Sequence, residues 1–263
     1  MDAVLGLALN GMISFLLILV RITGIFVIAP IFGRKNMPTY FKIGFAFMIS
    51  LILVNTAKFT VPVFYNNIFS YVLLIIQEFT VGVILGYVAY LIFSAIYLAG
   101  QIIDVQMGFG MVNVYDPVNS TQVPVTANFY YIIAMLIFLL MNGQHMLIKA
   151  VFDSYNTIPP GTLGFDSSAL LENITRLVKN IMIMGLKISS PIVATVLIAD
   201  VALGIIMKTI PQINVFVAGL PIKILVGLLI MLLMIPLFVL IVDNMINDIN
   251  KELQNIIDLM APR

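Results

Sequence analysis

From Phe79 to Ala99 the chain runs without a single charged side chain, and strongly apolar blocks recur at Gly11 to Pro30, Val125 to Met141, Ile174 to Met207 and Val215 to Val242. Coiled as helix at about 1.5 Å per residue, runs of this length cross a hydrocarbon core of about 30 Å. The composition is 62% hydrophobic and 10% charged, with a mean hydropathy of +1.13. A soluble domain carries roughly a quarter charged residues. These features predict an all-α integral membrane protein.

The same composition excludes several functions. A net charge of +1, with basic residues scattered singly or in pairs, offers no surface for nucleic acid. With no cysteine there is no disulfide, thiolate nucleophile or cysteine-ligated metal, and one histidine builds no multi-histidine metal site. Phosphate-binding, dinucleotide, GxSxG and HExxH patterns are all missing. No enzyme and no cofactor is expected. No Lys or Arg precedes Arg21, so the first segment lacks the basic start of a cleaved signal peptide and is expected to be retained. Residues Arg34, Lys35 and Lys42 form the densest basic cluster, which the positive-inside rule assigns to the cytoplasmic side.

Charges and prolines inside the apolar blocks are the next constraint. Arg21 lies near the middle of the first block, where a central arginine costs about 2.5–3.5 kcal/mol on insertion scales. It either faces protein or a watery cavity, or snorkels to an interface. Glu78 and Asp104 bracket the third apolar stretch and read as solvated helix ends. Lys187, Pro191, Asp200, Pro221, Lys223 and Pro236 interrupt the last two blocks. Freed carbonyls and embedded charges need partners, which predicts kinked helices packed on neighbours or water. Gly82 and Gly86 have the small-xxx-small spacing of close helix contacts. The run from Ile43 to Val54 is too short to span comfortably and reads as half of a hairpin. His145, in a short polar turn, reads as a hydrogen-bonding residue at a helix end, with a proton relay as the alternative. Asp153 to Asn173 reads as an exposed loop, and Met245 to Met260 as an amphipathic helix with Ile249, Leu253, Ile256, Ile257 and Met260 on one face.

The stretch from Gly108 to Pro124, GFGMVNVYDPVNSTQVP, separates two of the most hydrophobic segments. Its glycines permit unusual backbone angles, and Pro117 and Pro124 remove donors and disfavour helix before them. A loop of this length in a hydrophobic protein is expected to be functional, here to line or close a passage.

Those residues carry a resemblance. Arg21, Gly24, Pro30, Phe32 and Pro38 are followed by GFGMVNVYDP from Gly108 to Pro117, then by Asn142-Gly143, His145, Ser154 and Ile158-Pro159. The block from Pro191 through Asp200, Gly204, Pro211, Asn214, Gly219, Pro221, Lys223 and Gly227 completes the set. In this order the chain resembles the FliR family of the bacterial flagellar type III export gate along nearly its whole length. Gln144 departs from the pattern, standing where the family often has a second histidine, which weakens any histidine-pair mechanism.

The resemblance implies bent helical hairpins, similar to a fusion of FliP-like and FliQ-like units within a helical assembly. Residues 1–176 would be the FliP-like part with gate loop 108–124, and 177–263 the FliQ-like part with the amphipathic tail. It further implies a noncatalytic channel for unfolded flagellar proteins in the bacterial inner membrane, at the flagellum basal body. Partners would be FliP-like and FliQ-like gate subunits and FlhB-like and FlhA-like export components. Met107, Gly108, Phe109, Gly110, Met111, Val112, Asp116 and Pro117 would form the pore plug, and Arg21, Glu78, Lys187, Asp200 and Lys223 would be buried polar groups serving assembly. The equivalent SctT-like gate subunit of a virulence injectisome, and a small-solute secondary transporter, are the alternatives.

Overall fold

A computed structural model describes residues 2–33, 37–56, 68–109, 124–164, 167–210 and 215–262, and every regular element among them is an α-helix. In chain order these are α1 (Asp2–Ile28), α2 (Thr39–Thr56), α3 (Ile68–Met107), α4 (Val125–Leu140), α5 (Gly143–Thr157), α6 (Ser167–Thr209) and α7 (Val215–Leu259). Four of them, α1, α3, α6 and α7, are long and apolar enough to cross a membrane. The pair α4 and α5, bent by 65°, is apolar enough for a fifth crossing only if taken together as one broken span, and α2 is a shorter apolar helix. The protein is an all-α, multi-pass integral membrane protein.

The contacts divide the chain into two compact units that interleave along the sequence. The first comprises Met1–Ile92, Asn142–Arg176 and Ile246–Arg263. Its core takes Leu17, Ile22 and Ile25 from α1, Leu74 and Leu85 from α3, and Val151 from α5, all buried. Phe26 stacks on Phe32 at 4.1 Å just past the end of α1. The tail face of Ile249, Leu253, Ile256, Ile257 and Met260 is buried in this unit. It packs against its own protein, the plainer of the uses its periodicity allows.

The second unit comprises Phe93–Met141 and Leu177–Met245. Phe93 meets Phe138 edge-on at 5.3 Å and Tyr130 lies 4.5 Å from Phe238. A methyl at Gly100 would collide with the Ala127 backbone, and one at Gly185 would press on Leu98. Pro191 sits inside α6 and leaves the Lys187 carbonyl without its usual donor; the Ser190 hydroxyl donates to that oxygen at 3.1 Å.

Two expectations are corrected. Residues 153–173 are not one exposed loop, because α5 continues to Thr157, α6 begins at Ser167, and Ser154, Tyr155, Ile158 and Asn173 are buried. Among the described residues the break between the helices falls on residues 158–164, with Gly161 at φ 81°. Glu78 and Asp104 are not solvated helix ends, since both are buried inside the long α3.

Candidate functional site

In the first unit the sequence builds one charged knot inside an apolar core. Small residues bring α1 and α3 together: a methyl on Gly82 would run into the Arg21 carbonyl, one on Gly24 would lie 2.6 Å from the Phe79 carbonyl oxygen, and one on Gly86 2.9 Å from that of Ile25. That approach sets Arg21, 0% exposed, against Glu78, 1% exposed. Arg21 Nε donates to Glu78 Oε2 at 2.8 Å and Nη2 to Oε1 at 2.9 Å, the two-pronged match of guanidinium and carboxylate.

The remaining donors reach α5. Arg21 Nη1 donates to Ser154 Oγ at 2.9 Å and Nη2 to the Ile158 carbonyl at 3.1 Å. The guanidinium lies 3.7 Å from the centre of the Tyr155 ring, and the Tyr155 hydroxyl is 3.2 Å from Glu78 Oε2 and 3.3 Å from the Leu17 carbonyl. A charge buried this way is tolerable only when paired and hydrogen-bonded, and here both members are. Chemically the cluster ties α1, α3 and α5 into one body. Ser154 and Tyr155 were not singled out for this role from the sequence; the signal was an arginine inside an apolar block, which demands hydroxyl or carboxylate partners elsewhere in the chain.

In the second unit the root of the long loop is pinned from both sides. Asp104, three residues before Met107, accepts the Thr126 backbone N–H at 3.0 Å on Oδ1 and 3.2 Å on Oδ2. Pro124 at the start of α4 offers no side-chain cap, so a carboxylate from α3 satisfies the open amide and faces the positive end of the helix dipole. Met107 is fully buried, its thioether filling the place where a side chain at 227 would stand, and Gly108 at φ 85° faces Leu220. The left-handed angle at Gly108 is one that glycine adopts without steric cost. Residues 110–123 lie outside the described residues, so Gly110, Met111, Val112, Asp116 and Pro117 do too; Phe109 is half-buried where the description stops.

The other predicted charges separate. Lys223 pairs with Asp200, and Gln106 Nε2 reaches Asp200 Oδ2 at 3.4 Å, both charged groups being 29% exposed. Lys187 is exposed in the single chain and, among the described residues, is joined to no acid. It points away from its unit's core because α6 turns Ile188, Ser189 and Ile192 inward. His145 is exposed in the first turn of α5, its backbone N–H donating to the Asn142 carbonyl at 2.9 Å. Asn142 itself breaks the helix with φ 57°. Among the described residues no group of three His, Cys, Asp or Glu could hold a metal.

The chain has relatives among known proteins. The chain is similar to the flagellar biosynthetic protein FliR of Bacillus subtilis, 34% identical over 250 residues that cover 94% of this chain and 96% of that one. It is also similar to the protein of that name in Escherichia coli, 31% identical over 91% of this chain and 90% of the relative. The surface presentation of antigens protein SpaR of Shigella flexneri matches at 26% identity over 80% of each chain. A family described as bacterial export proteins, family 1, matches residues 12–249. With nearly the whole chain inside that match, the protein is a member of the bacterial export proteins, family 1.

Proposed function

We propose that this protein is a noncatalytic gate subunit of the flagellar type III export apparatus in the bacterial inner membrane. With FliP-like and FliQ-like chains it forms the passage through which unfolded flagellar proteins leave the cytoplasm, and the loop of residues 108–124 closes that passage. FlhB-like and FlhA-like components work beside it. The observation that carries the reading is the near end-to-end similarity to two proteins named flagellar biosynthetic protein FliR. The pinned loop root supports the closing role, since a stopper needs a fixed base at both ends. A loop anchored by Asp104 and Met107 on one side and Thr126 on the other has one.

The SpaR match favours a second reading, the equivalent gate subunit of a virulence secretion system. Its lower identity and coverage rank it behind the flagellar one. Purifying the tagged protein from its native membrane tests both. Recovery of FliP-like and FliQ-like chains of flagellar type is the expected result; recovery of injectisome chains would move the protein to the second reading, and recovery of neither would end both.

A further inference from the structure

The other membrane-crossing helices turn mainly apolar side chains outward, as with Leu136 on α4, Leu197 on α6 and Leu232 on α7. The first turns of α3 do the same, exposing Ile68, Phe69, Ile75, Ile76 and Phe79. Beyond Thr80 its outward face changes character. As far as Asp104 the exposed side chains are Tyr87, Tyr90, Tyr97 and Gln101, each ending in a hydroxyl or an amide, while Val88, Phe93, Ile96 and Ile103 are turned inward. The four follow one another at steps of three, seven and four, and half-buried Ser94 stands within the longest step, so they form one strip on the helix.

Neither lipid nor a packed helix suits this strip. None of the four side chains has a hydrogen-bond partner among the described residues, and in hydrocarbon an unpaired hydroxyl or amide is costly. Tyrosine is at home at the headgroup level of a bilayer, but that layer is only about 5–8 Å deep on each side. From Tyr87 to Gln101 the helix rises about 21 Å at 1.5 Å per residue, well past any one such layer. Close helix contacts in membranes are built from small residues, and those of α3, Gly82, Gly86 and Gly100, are turned to Arg21, Ile25 and Ala127 of this chain. The strip presents bulky rings instead, those of Tyr87 and Tyr90 lying 6.2 Å apart. Uncharged hydrogen-bonding groups held open along a helix suit water, and a ligand made of donors and acceptors. No charge stands on α3 between Glu78 and Asp104, and both of those are buried and engaged, so nothing on the strip holds a passing chain by its charge. The strip also leads to the root of the long loop, Gln101 standing less than two turns before Met107.

We propose that the Tyr87 to Gln101 face of α3 lines the water-filled part of the passage and is the surface along which an extended polypeptide moves. The tyrosine hydroxyls and the Gln101 amide exchange hydrogen bonds with its main-chain N–H and C=O groups, which every sequence carries. The inference rests on the export reading. Because the chain has no cysteine, single Tyr90→Cys, Tyr97→Cys and Gln101→Cys variants report on this face alone, with Leu136→Cys and Leu232→Cys as controls on apolar faces. Each variant, in the assembled complex in its native membrane, is treated with a charged methanethiosulfonate reagent from either side. Strip positions should react roughly tenfold or more faster than the controls, since a thiol needs water to ionise and react. A flagellar subunit fused to a domain too stable to unfold, and so arrested in transit, should protect them. A benzophenone carried at Gln101→Cys should capture the arrested chain at many points of its sequence. Reaction no faster than at the controls, capture of lipid or of a neighbouring membrane helix, or capture confined to one sequence motif would each overturn the proposal. An arrested chain that purifies with the gate but leaves the strip unprotected overturns it and leaves the export reading standing. If no arrested chain associates with the gate, both fall.

Discussion

Truncating Arg21 leaves the Glu78 carboxylate in an apolar interior with the Tyr155 hydroxyl as its remaining side-chain partner among the described residues. Arg21→Ala or Glu78→Ala should each destabilise the protein by about 3–5 kcal/mol, because an uncompensated buried charge is costly. The double change Arg21→Met with Glu78→Leu should recover most of that loss. Arg176→Ala should cost under about 1 kcal/mol, since its pair with Glu252 is half in solvent. Unfolding of the purified protein in detergent measures all four, and equal losses at Arg21 and Arg176 would contradict the knot. Arg21 announced itself in the sequence as a cation in an apolar block, but its partner did not. Glu78 is 57 residues away, and one sequence does not show the register in which two helices meet. Lys187, expected to serve assembly, is turned outward by the rotation of α6, which one sequence does not show.

At the scale of elements, the glycines of α3 set how near α1 can come. Gly82→Ala forces a methyl into the Arg21 carbonyl and should cost about 1–3 kcal/mol, as overpacking does. At Gly11 a methyl meets nothing within 4 Å, so Gly11→Ala should be neutral or gain up to about 1 kcal/mol from helix propensity. Thermal unfolding of both variants separates close packing from intrinsic preference. Asp104→Ala removes the borrowed cap of α4 and should cost about 1 kcal/mol, whereas Asp104→Asn keeps an acceptor oxygen and should lose less. Hydrogen exchange at the Thr126 amide reads this directly; protection unchanged in the alanine variant would contradict the clamp. Helix positions were legible because uninterrupted apolar runs dominate them, and the tail face was legible from its three-four spacing. The span of α5 was not, because Asp153, Ser154 and Asn156 look like loop residues until Arg21 gives Ser154 its partner.

For the whole molecule, the chain leaves and re-enters its two compact units, so neither is a consecutive stretch of sequence. Composition alone fixed the membrane class, and the order of scattered residues carried the family. The division into units was hidden because it depends on which halves of α3, α6 and α7 pack together, and hydropathy is blind to that. The loop of residues 108–124 separates two of the most hydrophobic segments of the chain. Its root is fixed by Asp104, Met107 and Thr126, and its proposed work is to close a passage between subunits. The most direct measurement is the ion conductance of membranes holding the assembled gate, with residues 108–121 intact or replaced by a short linker. A loop that plugs the passage predicts a marked rise in leak for the shortened form at equal levels of assembled complex. Equal leak from both forms, with assembly verified, would contradict it.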